Sequence, residues 1–200
     1  MNKSLSSKKH PFHGFSTGNF KVLHDDPIQR GVAIRDEFIS FYQKNYSANR
    51  MKLVVLGKES LDELQSWVVE LFSDVKNQDL PQLRWDNLPI YDAEEVGTQI
   101  FAKPVMDQRN LDIYFTYQDE EDLYESQPSR YISHLIGHEG PGSILAYLKA
   151  KGWANGLSCG AHPVCPGSAL FMLQVRLTED GLKHYQEVVQ IVFQLSLIHI

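Results

Sequence analysis

The amino-acid sequence predicts an α+β fold in which helices pack on one face of an antiparallel sheet. Short runs of β-branched and apolar residues are separated by connections of hairpin length. Amphipathic helical segments are grouped between these hairpins. Single strands that alternate with helices are typical of a parallel sheet, whereas this grouping favours an antiparallel one. The 200 residues are enough for one large domain or for parts of two.

The first half of the chain contains the signals of two helices and one buried strand. Apolar residues recur at helical spacing over residues 31–46, which predicts an amphipathic helix. The β-branched run over residues 51–57 ends at a glycine and predicts a buried strand. Ser60 and Glu63 have the spacing of a capping box, so a second helix is expected over roughly residues 60–73.

Two segments of the chain have no sustained hydrophobic period. Residues 1–28 are rich in polar residues and glycine, which predicts an extended loop. Residues 74–95 combine proline, asparagine and acidic residues that interrupt every pattern. We expect an interdomain linker at residues 79–95.

The second half of the chain predicts alternating groups of strands and helices. The expected order is strands at 99–105 and 110–117, helices at 128–138 and 144–151, strands at 153–160 and 169–177, and a helix from Thr178 to about Leu195. Gly152 marks the end of the second of these helices, because glycine is favoured just past a helix C-terminus. Thr178 is followed by two acidic residues, which is typical of a helix N-terminus.

Composition and charge argue against several classes of function. The net charge of −6 provides no basic field for phosphates, so we expect no nucleic-acid partner. No apolar run reaches the length of a spanning helix, and the N-terminal residues do not resemble a secretory signal. The two cysteines form no disulfide framework. These features predict a soluble, cytoplasmic protein.

A histidine pair is the strongest chemical motif in the sequence. His134 and His138 are four residues apart and stand on one face of the predicted helix, as two zinc ligands do. The inverzincin signature His-Xaa-Xaa-Glu-His requires a glutamate where this chain has Gly137. Glu139 lies about 100° around the helix from His138 and is badly placed to act as the base. We therefore expect no catalytic residue here, with one histidine packed and the other hydrogen-bonded.

A second cluster of metal-ligand residue types lies near the predicted strand turn. Cys159, His162 and Cys165 are closely spaced, but structural zinc needs four ligands and no fourth follows in the local sequence. His184 is the candidate fourth ligand, because the fold could bring it close to the cluster in space. Two buried thiols and a turn histidine are the favoured interpretation, so we expect no metal site in this chain.

Four long segments resemble a known family of enzymes. They are HPFHGFSTGN (10–19), FYQKNYSANRMKLVVLGKESLDEL (41–64), SHLIGHEGPGSILAYLKAKGWANGLS (133–158) and LTEDGLKHYQEVV (177–189). In this order they closely resemble the pitrilysin/insulysin family of inverzincin metallopeptidases, above all the insulysins and their fungal a-factor-processing relatives. The likeness covers nearly all of residues 1–194.

The resemblance implies a domain assignment. Family members contain four homologous α+β domains around a chamber, and the first domain carries the zinc site. Residues 1–78 resemble the end of that catalytic-type domain, and residues 96–194 resemble the front of the second, inactive domain. The chain would therefore hold parts of two homologous metallopeptidase-type domains, followed by an atypical tail at residues 195–200.

The same resemblance implies a function. The parent protein would be a zinc metalloendopeptidase that degrades or processes peptides, with its zinc ligands outside this chain. Its partners would be peptide substrates and the remaining domains of the protease, and a homodimer of the whole protein is possible. This chain would supply chamber wall and be inactive alone. The alternative is a non-catalytic scaffold or subunit of the same family.

The resemblance also implies a substrate-binding exosite that holds the N-terminus of the peptide. Its residues in this chain would be His134, Gly137, Glu139, Leu157 and Cys159. A carboxylate such as Glu139 can accept hydrogen bonds from an α-ammonium group, and a strand edge can pair with an extended peptide. Three positions depart from the insulysins, which have histidine at Arg130, glycine at Ser133 and glycine at Cys159. Arg130 would repel an α-ammonium group.

Overall fold

A computed structural model describes residues 2–14 and 16–198, with side chains as far as Gln194. The helices are α1 (Asn2–Leu5), α2 (Asp26–Gln29), α3 (Ile34–Asn45), α4 (Leu61–Phe72), α5 (Pro128–Ile136), α6 (Ile144–Ala150), α7 (Glu179–Lys183) and α8 (Tyr185–Ile198). The strands are β1 (Asn110–Tyr117), β2 (Ala154–Cys165) and β3 (Ser168–Leu177). Two compact units form: a sheet unit of residues 1–14 and 84–200, and a helical unit of residues 15–83.

The three strands form one antiparallel sheet in the order β1-β3-β2. β3 is central, with Tyr114 of β1 and Gly160 of β2 both opposite Met172. A tight turn joins β2 to β3, and β1 reaches the sheet from a more distant part of the chain. The prediction of an antiparallel α+β fold is confirmed.

Helices cover one face of this sheet. Leu173 and Val175 of β3 are buried together with Leu148 of α6 and Val188 of α8. Side chains alternate between the faces of a strand, so these two β3 residues share the covered face. Gln174 lies on the other face, where it donates a hydrogen bond to Asp112 at 2.8 Å. The prediction that helices pack on one face is also confirmed.

Several helix starts follow the predicted capping signals. Ser60 and Glu63 form the predicted capping box, in which each side chain accepts from the backbone amide of the other. Thr178 accepts from the amide of Gly181 at 2.9 Å and begins α7. These contacts are local, which is why the sequence predicts them. Among the described residues, no helix is long and apolar enough to cross a lipid bilayer.

Two predicted strands are wrong. Residues 51–57 and 99–105 have no regular secondary structure and pair with no strand among the described residues. Leu56 and Val105 are fully exposed, at 98% and 104%. A strand needs a neighbour to satisfy its backbone amides and carbonyls, and an apolar pattern alone does not provide one. β1 accordingly pairs with β3 and not with the predicted hairpin partner.

Other predicted bounds also change. Residues 1–28 are not simply an extended loop, because they include α1, a π-helical turn at Lys21–Asp25 and the start of α2. The helix predicted over 128–138 ends at Ile136, since Gly137 lacks helical backbone geometry. The β2–β3 hairpin is longer than predicted and turns at residues 166–167. The side chains of the predicted atypical tail, residues 195–200, lie outside the described part of the chain.

The N-terminal residues belong to the sheet unit, although the family resemblance assigns all of residues 1–78 to the catalytic-type domain. The amide of Ser7 donates to the carbonyl of Ile90 at 2.8 Å. His10 is 2% exposed and lies 3.1 Å from the hydroxyl of Ser168 on β3. The two units are defined by contacts within this structure, whereas the predicted domains are defined by resemblance to the family. The predicted domain boundaries at residues 78, 95 and 194 therefore stay predictions.

We expect the N-terminal segment to detach on acidification. The amide of Phe12 donates to Nδ1 of His10, which leaves Nε2 as the proton-bearing atom that donates to Ser168. Burial lowers the pKa of His10, so the folded state holds this ring neutral. Below about pH 6.5 the unfolded state binds more protons, and the stability contributed by neutral His10 is lost as pH falls. Limited proteolysis of residues 2–14 should therefore be faster at about pH 5.5 than at about pH 7.5.

Two variants test this assignment. His10→Gln should weaken the pH dependence, whereas His162→Gln, at an exposed position on β2, should keep it. Equal cleavage at both pH values in the wild-type protein would show that His10 does not control the segment.

Candidate functional site

A carboxylate from a preceding loop caps α5, the helix that carries the predicted histidine pair. Glu120 accepts hydrogen bonds from the amide of Ser129 at 2.9 Å, from its hydroxyl, and from the hydroxyl of Tyr117 at 2.8 Å. Burial by itself would raise the pKa of Glu120, but these hydrogen bonds from Ser129 and Tyr117 lower it below its ordinary value. An anion beside the first turn also suits the positive end of the helix. Glu120 therefore positions α5.

The C-terminal end of α5 lies against β2. Cys159 donates from Sγ to the carbonyl oxygen of Ser133 at 3.4 Å. A Cβ atom at Gly137 would lie 3.4 Å from that sulfur and 2.7 Å from the Ser133 oxygen, so glycine permits the close approach. Burial raises the pKa of the Cys159 thiol, which is therefore neutral and a poor nucleophile at pH 7. The structure thus brings two of the five predicted exosite residues together.

β2 lies at the edge of the sheet. On its outer side it pairs with no strand among the described residues. Leu157 is paired with Val175 and its side chain belongs to the core, so only its backbone is available to a partner at this edge. An edge of this kind presents amides and carbonyls that an extended peptide can bind.

Glu139 follows α5 and remains exposed. Its side chain is 69% exposed and forms an ion pair with Lys149 at 3.9 Å. A surface pair of this length contributes little stability and exchanges readily with another cation. Glu139 does not cap the next helix, because Ser143 accepts from the amide of Ala146 at 3.1 Å and caps α6.

The histidine pair is close but lacks further ligands. The rings of His134 and His138 lie with centroids 6.0 Å apart and tilted by 50°. α5 ends before His138, and both histidines are exposed. Within residues 2–14 and 16–198, no three histidine, cysteine, aspartate or glutamate side chains converge in a way that could hold a metal ion.

The second candidate cluster is spread along a strand. Cys159 and His162 are both on β2 and point to opposite faces, because their spacing is odd. Cys165 lies 3.9 Å from Nε2 of His10 and not beside His162. Burial raises the pKa of the Cys165 thiol, so this pair does not provide a thiolate.

A cleft of about 830 Å³ lies between β2, the first turns of α5 and the loop that precedes α5. Its lining combines apolar and small residues of β2 with polar and acidic residues of the loop, and it includes Arg130, Ser133 and Cys159. Of the five predicted exosite residues, only Cys159 lines it. The sequence did not indicate that the acidic loop, the end of β2 from Ala161 to Cys165 and the adjoining Pro166 form walls of this cleft. The acidic run at residues 119–122 is visible in the sequence, but nothing local indicates that it faces β2.

The fold defines the class of protein. The chain superposes on the crystal structure of pitrilysin with a TM-score of 0.82 and 25% identity, covering 97% of this chain and 20% of that one. The sheet with helices on one face is therefore the α+β architecture of a pitrilysin-like domain.

The family follows from the sequence. Residues 33–195 match the model described as the peptidase M16 inactive domain, and the chain belongs to this family of metallopeptidases. It is 46% identical over 194 residues to the a-factor-processing enzyme of Saccharomyces cerevisiae and 41% identical over 194 residues to the insulin-degrading enzyme of Drosophila melanogaster. These alignments cover 97% of this chain but 19% and 20% of the relatives, so the chain spans about a fifth of their length. The predicted resemblance is confirmed.

Proposed function

We propose that this chain is a substrate-anchoring, non-catalytic part of a zinc metalloendopeptidase that degrades or processes peptides. One observation carries the proposal: β2, which pairs with no described strand on its outer side, has Cys159 against the end of α5, and the exposed carboxylate of Glu139 follows two residues after Gly137. The zinc ligands and the general base would lie outside this chain, in the remaining domains of the protease. A cytoplasmic location and a homodimer of the whole protein belong to the same proposal.

The two parts of the site would hold complementary parts of a peptide. An extended peptide would add to the edge of β2 through backbone hydrogen bonds, with Leu157 and Cys159 contributing main-chain groups. Its α-ammonium group would displace Lys149 and bind Glu139, with His134 and Gly137 beside it. The rest of the peptide would be free to reach a distant zinc ion.

Substitution of Glu139 tests the anchoring role. In the intact protease, Glu139→Gln should raise KM for long peptides by roughly tenfold or less and leave short peptides almost unchanged, because only long peptides span both sites. N-terminal acetylation of a long peptide should have the same effect, and the two changes together should cost little more than either alone. Steady-state kinetics with matched long and short fluorogenic peptides measures the effect of the substitution and the effect of acetylation on KM.

The matched control is Glu187→Gln, at an exposed glutamate on α8. It removes the same charge and should leave KM unchanged for every peptide. Equal losses for long and short peptides in the Glu139 variant would assign Glu139 to the structure, and the anchoring role would then be withdrawn.

A scaffold or inactive subunit is the second candidate. It is supported by the match to a family model described as an inactive domain. The discriminating observation is whether the intact protein contains a His-Xaa-Xaa-Glu-His motif and hydrolyses peptides with zinc. If the intact protein lacks this motif and associates with an active family member, the scaffold function is favoured.

A further inference from the structure

The cleft beside β2 contains one basic side chain. Arg130 is exposed on α5, and among the described residues it is the only lysine, arginine or histidine that lines the cleft. No carboxylate of the described residues lies within ion-pair distance of its guanidinium group. Guanidinium groups bind carboxylates through two parallel hydrogen bonds, so Arg130 offers a planar anion-binding group to whatever enters the cleft.

The acidic residues on the facing loop are already engaged. Asp119 accepts from the amide of Gly167 at 2.8 Å and from Arg84 at 3.3 Å. Arg84 also donates to Glu121 at 3.1 Å. Both oxygens of Glu120 accept hydrogen bonds from the capped helix and from Tyr117. Of the four charged residues that line the cleft, Asp119, Glu120 and Glu121 thus have side-chain partners, and Arg130 has none among the described residues.

The position of Arg130 along α5 relates it to the proposed peptide anchor. Arg130 and Ser133 are about one turn apart and both line the cleft. Gly137, the residue directly after the helix, is seven residues beyond Arg130, which is about 10 Å at the rise of an α-helix. An extended peptide advances about 3.3 Å per residue, so this distance corresponds to about three residues.

We propose that the cleft selects peptides that have an aspartate or glutamate at the third or fourth position from a free N-terminus. The α-ammonium group binds at Glu139, the backbone pairs with β2, and the acidic side chain enters the cleft and binds Arg130. This inference rests on the proposed anchoring function and adds the class of peptide that the anchor prefers.

A peptide series in the intact protease tests the preference. Otherwise identical long peptides with glutamate, glutamine or lysine at position 3 or position 4 are compared by KM. We expect glutamate to lower KM about fivefold to tenfold relative to glutamine at one of the two positions, since one charge-assisted pair at a wet site has about this effect. Lysine should bind more weakly than glutamine because Arg130 repels it.

Variants at Arg130 assign the preference to this side chain. Arg130→Gln should make the glutamate and glutamine peptides equal, and Arg130→Glu should favour the lysine peptide. Arg176→Gln, at an exposed arginine on β3 that does not line the cleft, should keep the wild-type preference. Thermal unfolding of each variant shows whether the fold is retained.

The outcomes separate this inference from the anchoring function. If acetylation weakens binding but glutamate and glutamine peptides bind equally, the acidic preference is overturned and the anchor stands. If acetylation has no effect, the anchor fails and the preference fails with it. A wild-type preference for lysine would show that the acidic loop, and not Arg130, dominates the cleft.

Discussion

Gly181→Ala is expected to destabilise the sheet unit by about 3 kcal/mol or more, although alanine is the better helix former by about 1 kcal/mol. Gly181 lies inside α7, where a Cβ atom would be 1.8 Å from the carbonyl oxygen of Trp153 and 2.7 Å from its carbonyl carbon. These are backbone atoms of the residue just before β2 and cannot rotate away as a side chain can. α7 and β2 would have to separate by about 1 Å or more in a close-packed region.

The separation would break several contacts at once. Thr178 donates from its amide to Trp153 at 3.0 Å and from its hydroxyl to Gly152 at 2.7 Å. The ring of His184 stacks on that of Trp153 at 4.6 Å. Because domains are stable by only about 5 to 15 kcal/mol, such a loss is a large fraction of the total.

Urea unfolding followed by circular dichroism measures the effect, with Gly160→Ala as the matched control. Gly160 lies on β2 with its nearest neighbours at 3.8 Å and 4.0 Å from an added Cβ atom, so the same substitution meets only ordinary contacts. The control should stay within about 1 kcal/mol of the wild type. A Gly181 variant as stable as the control would mean that α7 does not approach β2 this closely.

Glu120→Ala is expected to cost about 2 to 3 kcal/mol and to loosen α5 from the sheet. The substitution leaves the amide and hydroxyl of Ser129 and the hydroxyl of Tyr117 without their common acceptor. Unmet donors of this kind cost about 1 kcal/mol or more each where they are shielded from water. Since Ser129 is buried, water replaces only part of the loss.

The neighbouring Glu121→Ala is the control. Glu121 is 68% exposed and makes a surface ion pair with Arg84, so its removal should cost less than about 1 kcal/mol. Equal stabilities of the two variants would contradict the capping role of Glu120.

Acidification should lower the stability of the wild-type protein in the same way as the substitution of Glu120. The pKa of this carboxyl is lowered in the folded state, so its contribution to stability is present above the ordinary glutamate pKa of about 4.5 and is lost as pH falls through the lower folded value. Unfolding of the wild type and of Glu120→Gln should therefore converge in stability at low pH. A constant difference between them would show that the carboxylate charge is not what matters.

Local signals in the sequence are sufficient for part of the fold. Ser60, Ser143 and Thr178 each cap the helix that their sequence neighbours predict, because a cap and its helix are only two or three residues apart. The apolar runs at 51–57 and 99–105 carry an equally clear pattern and yet form no strand. Strand formation depends on a partner that is distant in sequence, and a local pattern contains no information about that partner.

The candidate site, too, was determined partly by the sequence and partly by the tertiary structure. The sequence by itself determined the family, and it has glycine and not glutamate at position 137. The pairing of Glu139 with the strand at Leu157 and Cys159 stays a prediction. Only the tertiary structure decided that β2 is an edge strand, that Gly137 lies against Cys159, and that Arg130 shares a cleft with a loop of acidic residues. These relations join residues of the loop, α5 and β2 that lie far apart along the chain. They follow from packing and sheet order, which depend on the whole fold and not on the residues near each position.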